Sequence, residues 1–176
     1  VQTRWHWRGW EDNQRAFFET PDRLQAVSAD VVVLALGGAS WSRLGSTGAW
    51  AEGLKDRGVS VSPFAPANAA VAVDWSGHMN AHLGTPLKAV AWQAGPYSSQ
   101  GEATISHRGL EGGGIYAVSR GVREGHALLI DLVPRQTADQ VAARLAKSRG
   151  KASLSNHLRK ALGLGVGQIA LLQEMA

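Results

Sequence analysis

The chain has 176 residues, enough for one compact domain or two small ones. Hydrophobic residues make up 44% and charged residues 18%, a balance that excludes a disordered chain. The lack of cysteine excludes disulfides and thiolate metal sites, and it fits a reducing compartment. No apolar run approaches the roughly 20 residues that a membrane-spanning helix needs, so we expect no membrane partner.

The positive charge of the chain bears on its partners. The formal net charge is +4 and the sequence pI is ≈ 9.9. Such an excess attracts anionic partners such as phosphates or RNA. Basic residues are dispersed except in two clusters, at 147–151 and 157–160. The sequence leaves two interpretations open, a solvated basic face and a nucleic-acid-binding surface.

The first 30 residues have the pattern of a small sheet. Bulky and polar side chains alternate over residues 1–10, which indicates a strand with Trp5 and Trp7 on one face. A return strand is predicted at 17–20, and the Pro-Asp pair that follows it predicts a turn.

A buried strand, a loop and a helix are predicted next. The run DVVVLAL at 30–36 is apolar after its first residue and rich in valine. This pattern is typical of a strand buried on both faces of a parallel sheet. Ser46 or Thr47 can cap a helix that Gly58 ends, and a short strand is predicted at 59–61.

The composition changes at Pro63, and short strands recur beyond it. We predict strands at 70–74, 87–93, 100–106 and 128–132. Strands without long helices between them favour a small antiparallel sheet or barrel, apart from a helical pattern at 113–123. After Pro134 we predict three helices: one capped by Thr137, one capped by Ser153 or Ser155, and one at 166–175.

The loop after the predicted strand at 30–36 is a candidate ligand site. Gly37 and Gly38 fall where ligands sit in parallel sheets, beyond the carboxyl end of a strand. Their backbone amides and the following helix could bind an anion such as a pyrophosphate. The alternative is a strand-to-helix turn that needs glycine for its geometry alone. The spacing matches neither established phosphate-binding glycine motif, so both interpretations stay open.

The same stretch resembles a known family. LALGGASW at 34–41, followed by GSTG at 45–48, resembles the central motif of the BaiN/RdsA-type flavoproteins, which are NAD(P)/FAD-dependent oxidoreductases. Ser42 stands where that motif usually has proline, a departure that removes no ligand group. Two further stretches are similar to family segments in order and spacing: TISHRGLEGGGIYAVS at 104–119 and IDLVP at 130–134. SNHL at 155–158 also fits the family, and RWHWRGW at 4–10 is similar to one of its subgroups.

The resemblance implies an α/β fold followed by a β fold, in three parts. Residues 1–62 would be the C-terminal portion of a Rossmann-like FAD-binding domain. An inserted small antiparallel β-barrel or sheet would follow at 63–134, and the helical part of the insert at 135–176. The G-x-G-x-x-G unit and the C-terminal glycine-rich segment of such flavoproteins do not occur here. We therefore expect an internal fragment that lacks the N- and C-terminal parts of its own FAD domain and binds FAD poorly alone.

The resemblance also implies a function. FAD would be the cofactor and NAD(P)H the co-substrate, with hydride transferred to or from an unsaturated or amine-type small molecule in a cytoplasmic enzyme. The chain alone is expected to be inactive, and its catalytic residues are not identified. The implied FAD-contacting residues, acting through backbone amides and close approach, are Ala35, Leu36, Gly37, Gly38, Ala39, Ser40, Gly45, Ser46, Thr47 and Gly48.

Other side chains are weaker candidates for chemistry. His78 and His82 stand four residues apart, but a zinc site needs a third ligand and none is nearby, so no metal site is predicted. His107 and Tyr116 flank a glycine-rich turn and could serve as acid or base, although packing is favoured. Asp131 is interpreted as a buried polar group that pairs with the backbone.

Two further interpretations concern aromatic residues and the whole chain. Trp5, Trp7 and Trp10 could stack on a flavin or nucleobase or form an interface, although ordinary sheet packing is favoured. Besides the flavoprotein, the sequence leaves open an RNA-binding or RNA-modifying module that acts on ribosomal RNA, and a structural fragment without catalysis.

Overall fold

A computed structural model describes residues 1–11 and 15–176 of the chain. They form two compact units, Val1–Ala65 (unit 1) and Pro66–Ala176 (unit 2). No helix among these residues has the length and apolar character that crossing a membrane requires.

Unit 1 contains a three-stranded antiparallel sheet in the order β1 (His6–Glu11), β2 (Arg15–Glu19) and β3 (Leu24–Val27). The sequence predicted the first two strands and missed β3. A register shift between Trp7 and Gly9 interrupts the β1–β2 pairing. Aromatic rings cover this sheet, because Trp5 lies 5.4 Å from Phe18 between ring centroids and Trp7 meets Trp10 edge-on at 4.8 Å.

The predicted strand at 30–36 is absent from unit 1. Its residues pair with no described strand, and the side chains of Val31 and Val33 are 78% and 82% exposed. The prediction of a strand buried on both faces is therefore wrong for this chain. The physical reason is that a parallel strand needs neighbouring strands for its backbone hydrogen bonds, and the described residues of unit 1 supply none. The short strand predicted at 59–61 is likewise absent.

The helix predicted after the glycine loop is present as α1 (Trp50–Lys55). Thr47 Oγ1 accepts a 3.3 Å hydrogen bond from the Ala49 backbone N–H just before the helix begins. Gly58 adopts φ +77° and its N–H donates to Lys55 O at 2.8 Å, as expected of a helix stop.

Unit 2 is built on a curled antiparallel sheet, a half-barrel, and packed helices. Its strand order is β4–β7–β6–β5–β8, all antiparallel. The bounds are β4 (Val71–Ala72), β5 (Pro86–Ala94), β6 (Tyr97–Ser106), β7 (Gly109–Glu111) and β8 (Leu128–Asp131). The register slips between Leu87 and Val90, where Ala89 has φ +54°, and such a bulge bends a strand. The four strands predicted beyond Pro63 are confirmed, and β7 was missed.

Helices complete unit 2. They are α2 (Gly113–Tyr116), α3 (Ser119–Arg123), α4 (Ala138–Leu145), α5 (Leu154–Leu162) and α6 (Val166–Met175). The predicted caps are confirmed: Thr137 forms a capping box with Gln140, and Ser153 accepts from the N–H of Asn156.

Small residues let the α2 helix approach the sheet. A Cβ at Gly114 would lie 2.5 Å from Trp92 Nε1, so only glycine fits there. The main core comprises Met79, Leu87, Val90, Trp92, Ala94, Ala103, Ile105, Leu110, Ile115, Val118, Ala170 and Leu171. This core joins strands, α2 and α6 in one body, which explains why the barrel-like and helical parts of unit 2 are not separate.

Candidate functional site

The glycine loop of unit 1 is a closed turn. The Trp41 N–H donates to Ser46 O at 3.2 Å, and the Ser46 N–H donates back to Trp41 O at 3.1 Å. One 3₁₀ turn, Ser42–Leu44, fills the interval, and Gly45 follows with φ +86°. The loop therefore has a defined shape that its own backbone maintains.

One hydrogen bond attaches this loop to α1, whose first residue also packs on Phe64. Trp50 Nε1 donates a 3.1 Å hydrogen bond to Gly37 O, and the Trp50 ring meets the Phe64 ring edge-on at 5.7 Å. Gly48 is buried with φ +72°, and a Cβ there would lie 2.7 Å from Phe64 and 2.8 Å from Ala39. Gly48 therefore serves the packing of the loop.

The N-terminal end of the glycine loop, at residues 37–40, has exposed backbone amides. Within the described part of the chain, nothing accepts a hydrogen bond from the backbone N–H groups of residues 37–40, and these residues are exposed. A Cβ at Gly38 would meet no atom within 4 Å. Adjacent exposed N–H groups are suited to an anionic ligand.

A cavity of ≈ 430 Å³ lies between β1 and the segment that contains the loop and α1. Its size falls within the range of small-molecule sites, about 300–1,000 Å³. The residues that line it are Trp5, His6, Trp7, Arg8, Gly9, Leu36, Gly45, Thr47, Ala49, Trp50 and Gly53. Three indole rings among these residues provide the flat apolar surface that stacks on planar ligands.

One polar atom of a residue that lines the cavity lacks a partner. The indole Nε1 of Trp7 is buried and makes no hydrogen bond with any described residue. Leaving a buried N–H unpaired costs about 1–3 kcal/mol, so such a group commonly signals a missing ligand or water. By contrast, the Arg8 guanidinium is neutralised by Glu19, whose Oε2 lies 2.8 Å from Arg8 Nε.

The β1 strand is held against the end of α1 by a cation–π contact. The guanidinium carbon of Arg57 lies 4.7 Å from the ring centroid of Trp10, and Arg57 Nη2 donates to Trp10 O at 3.1 Å. Trp10 does not line the cavity. In the tryptophan cluster, Trp10 therefore packs against Arg57, whereas Trp5 and Trp7 line the cavity.

The implied FAD-contacting residues are only partly brought to this cavity. Leu36, Gly45 and Thr47 line it. The others lie in the same loop region without lining it: Ala35, Gly37, Gly38, Ala39, Ser40, Ser46 and Gly48. The resemblance implied FAD contacts only in the loop, whereas the cavity is also lined by Trp5, just before β1, and by Trp7 within it. The signal for β1 was the spacing of these two tryptophans on one strand face.

The weaker candidates in unit 2 have structural environments. His107 is exposed in the turn between β6 and β7, and Tyr116 ends α2 with its carbonyl accepting from Ser119 Oγ at 2.9 Å. Asp131 pairs with the backbone, accepting from the Val133 N–H at 2.9 Å, but it is exposed and not buried as predicted.

The histidine pair has no third partner. The rings of His78 and His82 lie 5.3 Å apart, and the described residues contain no group of three side chains that could hold a metal ion. The carboxylate near this pair has a structural role: Glu174 accepts from the Ser76 N–H at 2.6 Å and from Ser76 Oγ at 2.7 Å. Both hydrogen bonds lower the pKa of Glu174, and the bond from the Ser76 backbone N–H has the larger effect.

Comparison with known proteins identifies the family. A family model described as the HI0933-like protein barrel and H2TH domain matches residues 65–175, well over half of the chain and nearly all of unit 2. No curated protein matches the chain. The curled sheet and the helices of unit 2 agree with that description. The chain therefore belongs to the HI0933-like family, which is associated with FAD-dependent oxidoreductases of the BaiN/RdsA-like kind.

Proposed function

We propose that this chain is part of an FAD-dependent oxidoreductase and that the cavity of unit 1 takes one ring system of FAD. The observation that carries the proposal is a cavity lined by three tryptophans and by residues of the glycine loop. One of these tryptophans, Trp7, has a buried Nε1 that makes no hydrogen bond with a described residue. Flavin and adenine rings are planar and carry hydrogen-bond acceptors. They match a wall of indole rings with one spare donor.

The residues present fit this role in chemical type. Trp5, Trp7 and Trp50 would stack against or border the ring, and Thr47 would offer a hydroxyl. The free N–H groups of residues 37–40 would bind phosphate oxygens through their dipoles. A cavity of ≈ 430 Å³ suits one ring system, so the remaining contacts to FAD would come from other residues of the full protein.

When bound, FAD would supply hydride transfer between NAD(P)H and an unsaturated or amine-type substrate. The residues of unit 1 would orient the ring and exclude water from one of its faces. No side chain of the cavity is assigned a proton-transfer role.

We also propose that residues 30–36 join a parallel Rossmann-like sheet in the full protein. The exposed side chains of Val31 and Val33 support this, because such apolar residues are ordinarily covered. A buried parallel strand is the structure that the valine-rich pattern favours. In a longer chain that contains the G-x-G-x-x-G unit, the amides of residues 31–35 should exchange with deuterium at least tenfold more slowly than in this chain. Equal exchange in both chains would contradict this second proposal.

Binding of FAD to the purified chain tests the main proposal. Titration with FAD should quench tryptophan fluorescence in a saturable way, with weak affinity because part of the binding site lies elsewhere. The Trp7→Phe variant keeps the aromatic ring and removes the donor, so it should weaken binding by about 2- to 13-fold.

Trp41 supplies the matched control for this titration. It lies in the same loop, its side chain is 63% exposed, and it does not line the cavity. Trp41→Phe should bind FAD as the parent chain does. Quenching that never saturates, or equal binding by the parent and Trp7→Phe, would refute the proposal.

A further inference from the structure

The helical part of unit 2 holds a second cavity with a distinct chemical character. It measures ≈ 470 Å³ and lies between α4 and α5, and we name it the basic cleft. Five of its lining side chains are cationic or can become so: Arg144, Lys147, Arg149, His157 and Lys160. Among the residues that the structure describes, no carboxylate lines it. The two basic clusters of the sequence, at 147–151 and 157–160, thus meet around one concave surface.

The charge in the basic cleft is not compensated. Lys147, Arg149 and Lys160 are exposed, and their side chains make neither an ion pair nor a hydrogen bond with any described residue. Elsewhere in unit 2, basic side chains do find carboxylates, as Arg120 does with Glu124 at 2.7 Å. Three unpaired cations that repel one another in one cleft favour an anionic ligand.

The frame of the basic cleft is fixed by contacts between its two helices. His157 Nε2 lies 3.2 Å from Leu145 O, and Arg144 Nη1 donates to Ala161 O at 3.4 Å. Each of the two contacts joins a side chain of one helix to a backbone oxygen at the end of the other. Capping by Thr137 and Ser153 defines where the helices begin. A ligand would therefore meet an ordered concave site in which little conformational freedom remains to be lost.

We propose that the basic cleft is a binding site for phosphate groups. Arginine offers bidentate recognition of phosphate oxygens, and lysine offers a point charge. Two sources supply this chemistry: small phosphorylated molecules and the backbone of a nucleic acid. This site lies in unit 2 and stands independently of the flavin proposal for unit 1.

Competition binding tests the proposal and separates the two sources. A fluorescein-labelled single-stranded RNA oligonucleotide is titrated with the whole chain at low salt, and pyrophosphate is titrated separately by calorimetry. Lys147→Ala/Lys160→Ala should weaken whichever ligand binds by about tenfold or more. For RNA, the slope of log affinity against log salt should also fall by about 1.4, roughly 0.7 for each lost contact.

Charge-matched controls separate the basic cleft from a general basic surface. Lys151→Ala/Arg135→Ala removes two exposed cations that do not line the cleft, one of them in the same loop. This variant should bind within about twofold of the parent. Arg149→Ala, a single exposed change, should reproduce part of the loss with no change in helical circular dichroism.

The results of these titrations support or overturn the proposed phosphate site for both ligands. Binding of pyrophosphate or RNA that the cleft variants lose and the control keeps supports the site, and the ligand that binds identifies the source. Absence of binding to both ligands at low salt overturns the proposal. Equal losses in the cleft variant and the control also overturn it, because they indicate nonspecific attraction.

Discussion

The indole Nε1 of Trp50 donates a 3.1 Å hydrogen bond to the backbone oxygen of Gly37, joining the first residue of α1 to the start of the glycine loop. A loop whose residues 37–40 make no other backbone hydrogen bonds with described residues relies on this bond for its position. The same Trp50 ring also packs on Phe64, an apolar contact outside the loop.

Trp50→Phe tests that link. The substitution keeps an aromatic ring against Phe64 and removes the donor to Gly37, which should cost about 1 kcal/mol of local stability. Amide hydrogen exchange of Leu54 within α1 should then be about fivefold faster. Trp41→Phe, in the same loop but with an exposed ring, should leave that rate unchanged. An unchanged rate in Trp50→Phe would show that the bond does not hold the loop.

Gly48→Ala and Gly38→Ala separate packing from ligand approach. Gly48 has φ +72° and its added Cβ would crowd Phe64 and Ala39, so the substitution should lower the free energy of unfolding by about 1–3 kcal/mol. Gly38 has open space around it, so Gly38→Ala should cost less than about 0.5 kcal/mol. Urea denaturation of both variants measures the difference. Similar losses would contradict the distinct roles of the two glycines.

Ala89→Gly should stabilise the protein. Ala89 has φ +54° at the bulge of β5 and is exposed, a conformation that costs an L-residue about 1–2 kcal/mol. Glycine adopts it freely but loses more entropy on folding, so we expect a net gain of about 0.5–1 kcal/mol in urea denaturation. Ala91→Gly, in the regular part of the same strand, should instead destabilise. A loss in both variants would mean that the bulge is not strained.

Protonation of Glu174 in acid should destabilise the packing of α6. Hydrogen bonds from Ser76 lower the pKa of Glu174 below its usual 4.5 in the folded chain. A carboxyl whose pKa is depressed on folding contributes stability above pH 4.5, and that contribution disappears as the pH falls through the folded-state pKa. The urea midpoint should therefore decline less between pH 6 and pH 3 in Glu174→Gln than in the parent.

The control for this pH experiment is Glu111→Gln, which removes an exposed carboxyl that has no hydrogen bond with the described residues. It should keep the pH dependence of the parent chain. If Glu174→Gln also keeps it, Ser76 does not stabilise the ionised carboxyl.

Local signals in the sequence predicted much of unit 2. The Thr137 and Ser153 caps are confirmed because a cap needs only residues within one turn. The two long strands of unit 2, β5 and β6, are joined by a short turn, so the sequence showed both the strands and the turn. The prediction of a strand at 30–36 was wrong because its valine-rich pattern indicates a buried environment. Burial depends on neighbouring strands, which the local sequence does not contain.

The candidate site was predictable only in part for a related reason. Family resemblance pointed to the loop from Ala35 to Gly48, where the motif is continuous in sequence. The opposite wall, with Trp5 and Trp7, lies about 30 residues earlier and reaches the cavity through the folding of unit 1. The basic cleft likewise joins two basic clusters that are separate in the sequence, because only the pairing of α4 with α5 makes them face one space.

The indole N–H signals in NMR spectra of the ¹⁵N-labelled chain test the proposed flavin site of unit 1 most directly. Three other indoles already donate to backbone oxygens: Trp50 to Gly37, Trp75 to Ser106 and Trp92 to Gly101. On addition of FAD, the Trp7 Nε1–H resonance should move as it gains an acceptor, while the Trp75 and Trp92 resonances of unit 2 stay in place. A Trp7 signal that does not move while FAD shifts the signals of unit 2 would contradict a flavin site in unit 1.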